Sequence, residues 1–324
     1  MFSLKASQNL IQARLKEIGL PDSPMNLYDP IRYILETDGK RIRPALVLMG
    51  CNVFSDDISQ AIHAAMAVEV FHNFTLMHDD IMDKSVMRRN RPAVHVKWDQ
   101  NIAILSGDTM LIKAYELLSG TPASSLVSVL RLFNQTALRV CEGQQYDMDF
   151  EHSLDITLGE YLNMVELKTA VLLAAALKIG AVIGGAEDRQ ADLLYEFGRN
   201  VGIAFQLQDD MLDVYGDPIL FGKMTGNDIV SNKKTVLLVQ ALHASEGKRR
   251  KELLRWLKAE KFDRDEKIQC MKDIYDQLNL ESLTTSMVMQ YHQQALAMLD
   301  DLSCHSERKA ILRHFSEVLM VRKK

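Results

Sequence analysis

The sequence predicts an all-α fold, and three observations carry that expectation. Apolar residues recur at three- and four-residue steps, as in ALRVCEGQQYDMDF and LLYEFGRNVGIAFQLQDDMLDVYGD. Strict alternation is scarce, and no Asn-Gly turn joins two β-branched runs. Stretches such as AIHAAMAVEVFHNFTLM are apolar nearly all round, the pattern of helices packed inside a bundle.

Taken in order, the first residues, MFSLKASQNLIQARLKEIGL, are amphipathic and lack the apolar core of a signal peptide. Breaks fall at LPDSP near 21, RRNRP near 88, SGTPASS near 119, GGAEDR near 184 and GDPILFGKMTGND near 216. None has the length or low complexity of a linker, so residues 1–324 are expected to form one domain. The run AVLLAAALKIGAVIGGA, residues 170–186, is interrupted by Lys178 and closed by a Gly-Gly pair. It reads as a buried core helix rather than a membrane span. From 245 onward the chain is more charged, and KRRKELLRWLKAEK reads as a helix with one solvated face.

Composition narrows the function. A net charge of -5 argues against a general nucleic-acid binder, which needs a basic surface to displace counterions. The four cysteines, at 51, 141, 270 and 304, form no CxxC pair. They suggest reduced thiols in a cytoplasmic protein rather than a disulfide framework or a zinc site.

The chemistry lies in two short stretches. LMHDDIMD places Asp79, Asp80 and Asp83 within about one helical turn at the end of an apolar run. QLQDDMLD repeats the spacing with Asp209, Asp210 and Asp213. On a helix the first and last carboxylate of each DDxxD lie about 40° apart, with the middle one about 60° further round. Carboxylates so crowded among apolar residues need a cation. Hard oxygen ligands suit Mg²⁺ shared with substrate phosphates.

Cations for those phosphates are present. GKRIRP supplies Lys40 and Arg43, and RRNRP supplies Arg88 and Arg89. Lys168 stands in the otherwise apolar LNMVELKTAVLL, and FGKMTGNDIVSNKKT adds Lys223 and Lys233. His72, seven residues before Asp79, falls about 20° from it on a helical wheel, and Gln206 falls about 60° from Asp209. Each therefore shares its triplet's face.

These blocks occur in a recognisable order: GKRIRP, VEVFHNFTLMHDDIMDKSVMRRNRPAVH, LSGDTML, EGQQYDM, KTA, FQLQDDMLDVYGD and GKMTGNDIVSNKKT. In them the chain resembles the trans-isoprenyl diphosphate synthases of the polyprenyl synthetase family, over a motif-bearing core of about residues 39–235. The resemblance implies the isoprenoid synthase fold, a bundle of about ten core helices around a deep apolar cavity. It also implies a homodimer and head-to-tail condensation of isopentenyl diphosphate with an allylic diphosphate. Carried onto this sequence, Asp79, Asp83 and Asp209 hold Mg²⁺ on the allylic diphosphate, with Asp80, Asp210 and Asp213 in support. Arg88, Lys168 and Lys233 contact the same diphosphate, and Lys223 lies beside it. Lys40, Arg43, His72 and Arg89 hold isopentenyl diphosphate. Thr169 and Gln206 place lone pairs near the carbocation.

Departures from the family pattern are few. Asn90 and Asn232 stand where glycine is usual, and asparagine tolerates left-handed backbone. Leu237 replaces a frequent proline, which leaves the start of the following helix open. In this family large side chains shortly before the first aspartate limit product length. Phe74 at minus five, Thr75 at minus four and Phe71 at minus eight imply a C20 or C15 product, although an ideal wheel puts Phe74 opposite the aspartates. Three other readings remain: a class I terpene cyclase, a catalytically silent subunit of a heteromeric synthase, and a di-iron bundle built on Glu69 and His72. The last needs a second ExxH pair, which the chain lacks.

Overall fold

The computed structural model describes residues 2–37, 39–216 and 225–320. The fold is all-α, as the periodicity predicts. Helices α1 (Leu4–Lys16), α2 (Met25–Glu36), α3 (Ile42–Phe54) and α4 (Ile62–Met82) come first. A two-stranded hairpin follows, β1 (Met87–Arg88) against β2 (Arg91–Pro92), and leads to α5 (Val94–Lys97). Next are α6 (Gln100–Leu118), α7 (Ala123–Glu151), α8 (Leu158–Val165), a π-helical turn (Glu166–Ala170), α9 (Val171–Ile183) and α10 (Asp188–Tyr215). The last are α11 (Asn227–Val230), α12 (Val236–Ala244), α13 (Gly247–Lys258), α14 (Arg264–Gln277), α15 (Leu280–Asp301) and α16 (Ser306–Met320).

Helix starts follow local chemistry. Ser3, Asp99, Thr235 and Asp263 each accept a backbone N–H two or three residues into their helices. Thr157 and Glu160 form a reciprocal capping box at the start of α8. Such caps satisfy donors that the first helical turn leaves unpaired. Thr235 also resolves the question raised by Leu237, because α12 begins at Val236 without a proline and buries Leu237.

The chain forms two compact units. The first comprises Met1–Asn134, Ala175–Leu194 and Ser303–Ile311. Its core is α3, α4 and the C-terminal part of α9, which bury Leu46, Leu48, Val68, Phe71, Leu177 and Ile179. There α3 and α9 meet backbone to backbone: a Cβ on Gly180 would overlap the Val47 carbonyl. The second unit comprises Gln135–Ala174, Tyr195–Leu302 and Leu312–Lys324. Its core includes Tyr161, Ile203, Leu207, Leu238, Leu253 and Tyr275. Among the described residues no helix is long and apolar enough to cross a membrane. The apolar run around 170–186 is a buried helix, and its Lys178 pairs with Asp192.

The α3–α9 contact yields a prediction. Gly180→Ala has only rigid backbone to displace, so it should lower unfolding free energy by about 1–3 kcal/mol, the range for overpacking. Denaturant unfolding checks this, and an unchanged midpoint would refute the close-packing argument.

Candidate active site

In the first unit, the aspartate triplet ends a helix. Asp79 and Asp80 lie in the last turn of α4, and Asp83 is its C-cap. That end of a helix carries partial negative charge, so three carboxylates there increase the demand for a cation. The middle carboxylate is met from within the protein. Asp80, 2% exposed, accepts Nε of Arg88 at 2.9 Å and Nη2 at 2.5 Å. Burial raises the Asp80 carboxyl above its ordinary range, against the pull of Arg88. For Arg88, burial opposes the charge, yet Asp80, Asp79 and Asp83 outweigh it and hold the guanidinium protonated. Asp79 is half-buried and Asp83 exposed.

The hairpin separates the two arginines. Arg89 (φ 51°) and Asn90 (φ 61°) are both left-handed, the geometry of a tight two-residue turn between antiparallel strands. Asparagine therefore fills the usual glycine position, as expected. Arg88 turns to Asp80, whereas Arg89 donates to Thr37 Oγ1 at 3.2 Å. The Arg89 guanidinium lies over Gly39, where a Cβ would come within 2.7 Å of Nη1.

It thereby joins the segment that carries Lys40 just before α3 and Arg43 in its first turn. Arg43 Nη1 lies 3.1 Å from His72 Nε2. Burial, then Arg43 and Arg89, drive the His72 pKa well below its usual value. The imidazole is therefore neutral near pH 7 and accepts this hydrogen bond. Arg43 Nε is buried with no hydrogen-bond partner among the described residues. Burial, opposed by Glu69 and assisted by Arg89, pushes the Arg43 pKa down to about 10. Positive charge here exceeds what the protein neutralises, and an unpaired donor marks a place for an anion.

The aromatic residues before the triplet form one series. Phe74 stands 4.8 Å from the His78 ring, Phe71 5.7 Å from Phe74, and Phe133 5.1 Å from Phe71. Phe71 is buried and Phe74 half-buried, while Thr75 donates to the His72 carbonyl at 2.8 Å.

In the second unit, the second triplet occupies the last two turns of α10. Asp210 is again bound by the protein: it accepts Tyr161 O–H at 2.5 Å, Gln206 Nε2 at 2.9 Å and the Val236 N–H at 3.0 Å. Asp213 accepts the Asp228 N–H at 3.0 Å. Burial and then Asp228 push the pKa of Asp210 and of Asp213 up to about 6, with Lys233 acting in the opposite direction. Lys233 is exposed, whereas its neighbour Lys234 is buried and donates to the Glu151 carbonyl at 3.1 Å. Asn232 is left-handed (φ 57°), as its place in the family pattern anticipates. Lys223 lies outside the described residues.

The π-helical turn carries Lys168 and Thr169. Such bulges cluster at functional sites. α7 approaches it so closely that a Cβ on Gly143 would overlap the Lys168 backbone. Lys168 Nζ donates to Asp147 Oδ2 at 2.6 Å, which explains a lysine among apolar neighbours. Thr169 Oγ1 donates to Gln206 Oε1 at 3.3 Å, so the two predicted lone-pair donors do meet.

Sequence reasoning missed several partners. Asp147 and Gln144 lie in EGQQYDM, and both amide atoms of Gln144 are buried without a partner among the described residues. Asp228 adds a further carboxylate, with Gly226 (φ 79°) two residues before it as the only local signal. Glu69, whose ExxH spacing with His72 raises the di-iron alternative that the missing second pair sets aside, has a different partner. It accepts Arg41 Nη1 at 2.6 Å and Asn73 Nδ2 at 2.9 Å.

Among the described residues no three His, Cys, Asp or Glu side chains form a ready cage for a metal. The two helix-terminal carboxylate sets nevertheless suit a hard divalent ion, which keeps waters and takes few protein ligands.

Comparison with known proteins agrees with this chemistry. The polyprenyl synthetase family model matches residues 24–275. A geranylgeranyl diphosphate synthase of Methanosarcina mazei is 44% identical over 241 residues, 74% of each chain. A geranylfarnesyl diphosphate synthase of Natronomonas pharaonis is 42% identical over 236 residues, 67% of this chain and 69% of that one. A crystal structure of a geranylgeranyl pyrophosphate synthase superposes with a TM-score of 0.95 at 43% identity, covering 100% of both chains. The chain belongs to the polyprenyl synthetase family and is a prenyltransferase of the trans type.

Proposed function

We propose that this prenyltransferase condenses isopentenyl diphosphate head-to-tail with an allylic diphosphate to give a C20 all-trans prenyl diphosphate. The buried Nε of Arg43, without a hydrogen-bond partner among the described residues and inside a cluster of arginines around a neutral histidine, carries the reading. Lys40, Arg43, His72 and Arg89 bind isopentenyl diphosphate. Arg88, Lys168 and Lys233 are assigned to the allylic diphosphate, and the family resemblance assigns Lys223 a place beside it.

Asp79, Asp83 and Asp209 are the carboxylates assigned to Mg²⁺ and would hold it, with Asp80, Asp210 and Asp213 in support. When bound, the metal supplies positive charge to the departing diphosphate. The cationic side chains stabilise the same charge as the allylic C–O bond breaks. Oxygen lone pairs of Thr169 and Gln206 lie toward the allylic cation. The isopentenyl double bond attacks that cation, and a proton leaves to the released diphosphate. Phe74 and Phe71 limit the length of the product.

Residues 1–324 act as one catalytic domain in the cytoplasm. We also propose a homodimer, supported by Leu105, Ile112 and Val127, apolar and at least 59% exposed in the first unit. Leu105 and Ile112, seven apart on α6, share one face.

Incubation with Mg²⁺, labelled isopentenyl diphosphate and C5, C10 or C15 allylic diphosphates should yield one C20 alcohol after dephosphorylation. No incorporation with any starter would sink the proposal. Under the same conditions Phe74→Ala should extend the product by at least one C5 unit, and an unchanged product removes Phe74 from length control.

Metal binding should depend on pH in a stated direction. Because the Asp210 and Asp213 pKa values are raised to about 6, ionising them costs the metal-free protein stability as pH rises from the ordinary aspartate range through about 6. Mg²⁺ binds only the ionised forms, so its stabilising effect should grow between about pH 5 and about pH 7. Tyr161→Phe removes a hydrogen bond that favours the Asp210 carboxylate and should move this onset upward. Melting temperatures with and without Mg²⁺ across pH check both, and a pH-independent effect refutes them. Light scattering should give about twice the 36.8 kDa chain mass, and a monomer would refute the dimer.

A further inference from the structure

Two contacts run as parallel rungs between the start of α3 and the middle of α4. Arg41 Nη1 meets Glu69 Oε1 at 2.6 Å, and two residues on, Arg43 Nη1 meets His72 Nε2 at 3.1 Å. Glu69 and His72, three apart, are neighbours on successive turns of α4. The second rung belongs to the isopentenyl diphosphate site proposed above. The first has no role in that reading.

Both side chains of the first rung are 2% exposed, so they are closed to solvent. Arg41 directs its remaining donors inward. Nε donates to Gln12 Oε1 of α1 at 2.9 Å. Nη2 donates to the Leu35 carbonyl at 2.5 Å and the Thr37 carbonyl at 3.0 Å, at the end of α2. The Lys40 carbonyl accepts Gln8 Nε2 from α1. Three helices thus converge on one residue of the cationic loop.

Arg41 is also left-handed (φ 43°), a backbone state that L side chains avoid unless their surroundings impose it. Its position as N-cap of α3 sets how the chain enters the helix that carries Arg43. The Glu69 carboxylate further offsets the crowding of positive charge at Arg43 and Arg89. Apolar side chains of similar volume often replace a buried ion pair without loss of stability. Stability alone is therefore a weak reason for this pair.

We propose that Arg41 and Glu69 are positioning residues: their buried clamp fixes the left-handed loop so that Lys40 and Arg43 are held at one spacing for isopentenyl diphosphate, which neither clamp residue touches. The proposal rests on the assignment of that substrate to Lys40, Arg43, His72 and Arg89.

The test is steady-state kinetics with each substrate varied in turn, alongside thermal melting. The double variant Arg41→Met/Glu69→Met removes both buried charges together, and should melt only somewhat below the parent because the Leu35 and Thr37 carbonyls lose their donor. Its KM for isopentenyl diphosphate should rise by about tenfold, the effect of one lost charge-assisted contact, while KM for the allylic diphosphate stays within about twofold. Arg41→Lys keeps the charge but loses the planar fork, and should shift the same KM in the same direction. It carries the test alone if the double variant does not fold. An unchanged isopentenyl KM in the folded variants overturns the proposal. So does an equal rise in both KM values together with a fall in melting temperature. Arg43→Ala distinguishes the two levels of the argument: if it too leaves the isopentenyl KM unchanged, the site assignment fails, not only the clamp.

Discussion

Negative charge placed at the negative end of a helix is the constraint on which the candidate site depends. α4 and α10 each finish in three aspartates, where the helix dipole already contributes roughly half a negative charge. Neither helix end would be tolerated with all its carboxylates ionised and unpartnered. The fold meets this demand in part. It supplies Arg88 to one middle carboxylate, and Tyr161, Gln206 and the Val236 N–H to the other. Burial, and then the neighbouring Asp228, raise the pKa values of Asp210 and Asp213. The remaining charge is a standing requirement for cations.

Helical geometry decides which aspartate each source of charge reaches. In DDxxD the outer two carboxylates project within about 40° of each other, and the middle one about 60° beyond them. Asp80 and Asp210 therefore turn to the protein, are 2% and 3% exposed, and are bound by side chains from other elements. Asp79, Asp83 and Asp209 keep more exposure. The spacing thus sorts the first triplet cleanly, whereas in the second the outer Asp213 is also buried, on the Asp228 N–H.

Much of this was legible in the sequence because it is local. Helix periodicity, the triplets, the left-handed asparagines at 90 and 232, and the shared face of His72 and Asp79 all follow from spacing or backbone preference. What escaped is non-local. Asp147 meets Lys168 across 21 residues, Tyr161 meets Asp210 across 49, and Arg41 meets Glu69 across 28. No periodicity encodes such pairs. Glu69 is an example: the absent second ExxH already argues against a metal there, yet nothing in the spacing names the arginine that binds its carboxylate. The π-helical turn was equally hidden, because Gly143, which makes room for it, lies on α7.

The two diphosphates of the proposed reaction require opposite treatment. The allylic one must leave, so its C–O bond has to be polarised, and carboxylates that recruit divalent metal serve that end. The isopentenyl one must stay attached while its double bond attacks. The proposed site of arginines and a neutral histidine, with Glu69 paired to Arg41 behind it, suits a diphosphate without inviting a metal to it. The hairpin turn achieves this division with two adjacent residues, since Arg88 faces the aspartates and Arg89 faces the Gly39–Arg43 loop. Left-handed backbone at Arg89 and Asn90 makes their divergence possible. In the proposed reaction, the chemistry of leaving and the chemistry of holding would thus be separated by a single turn of the chain.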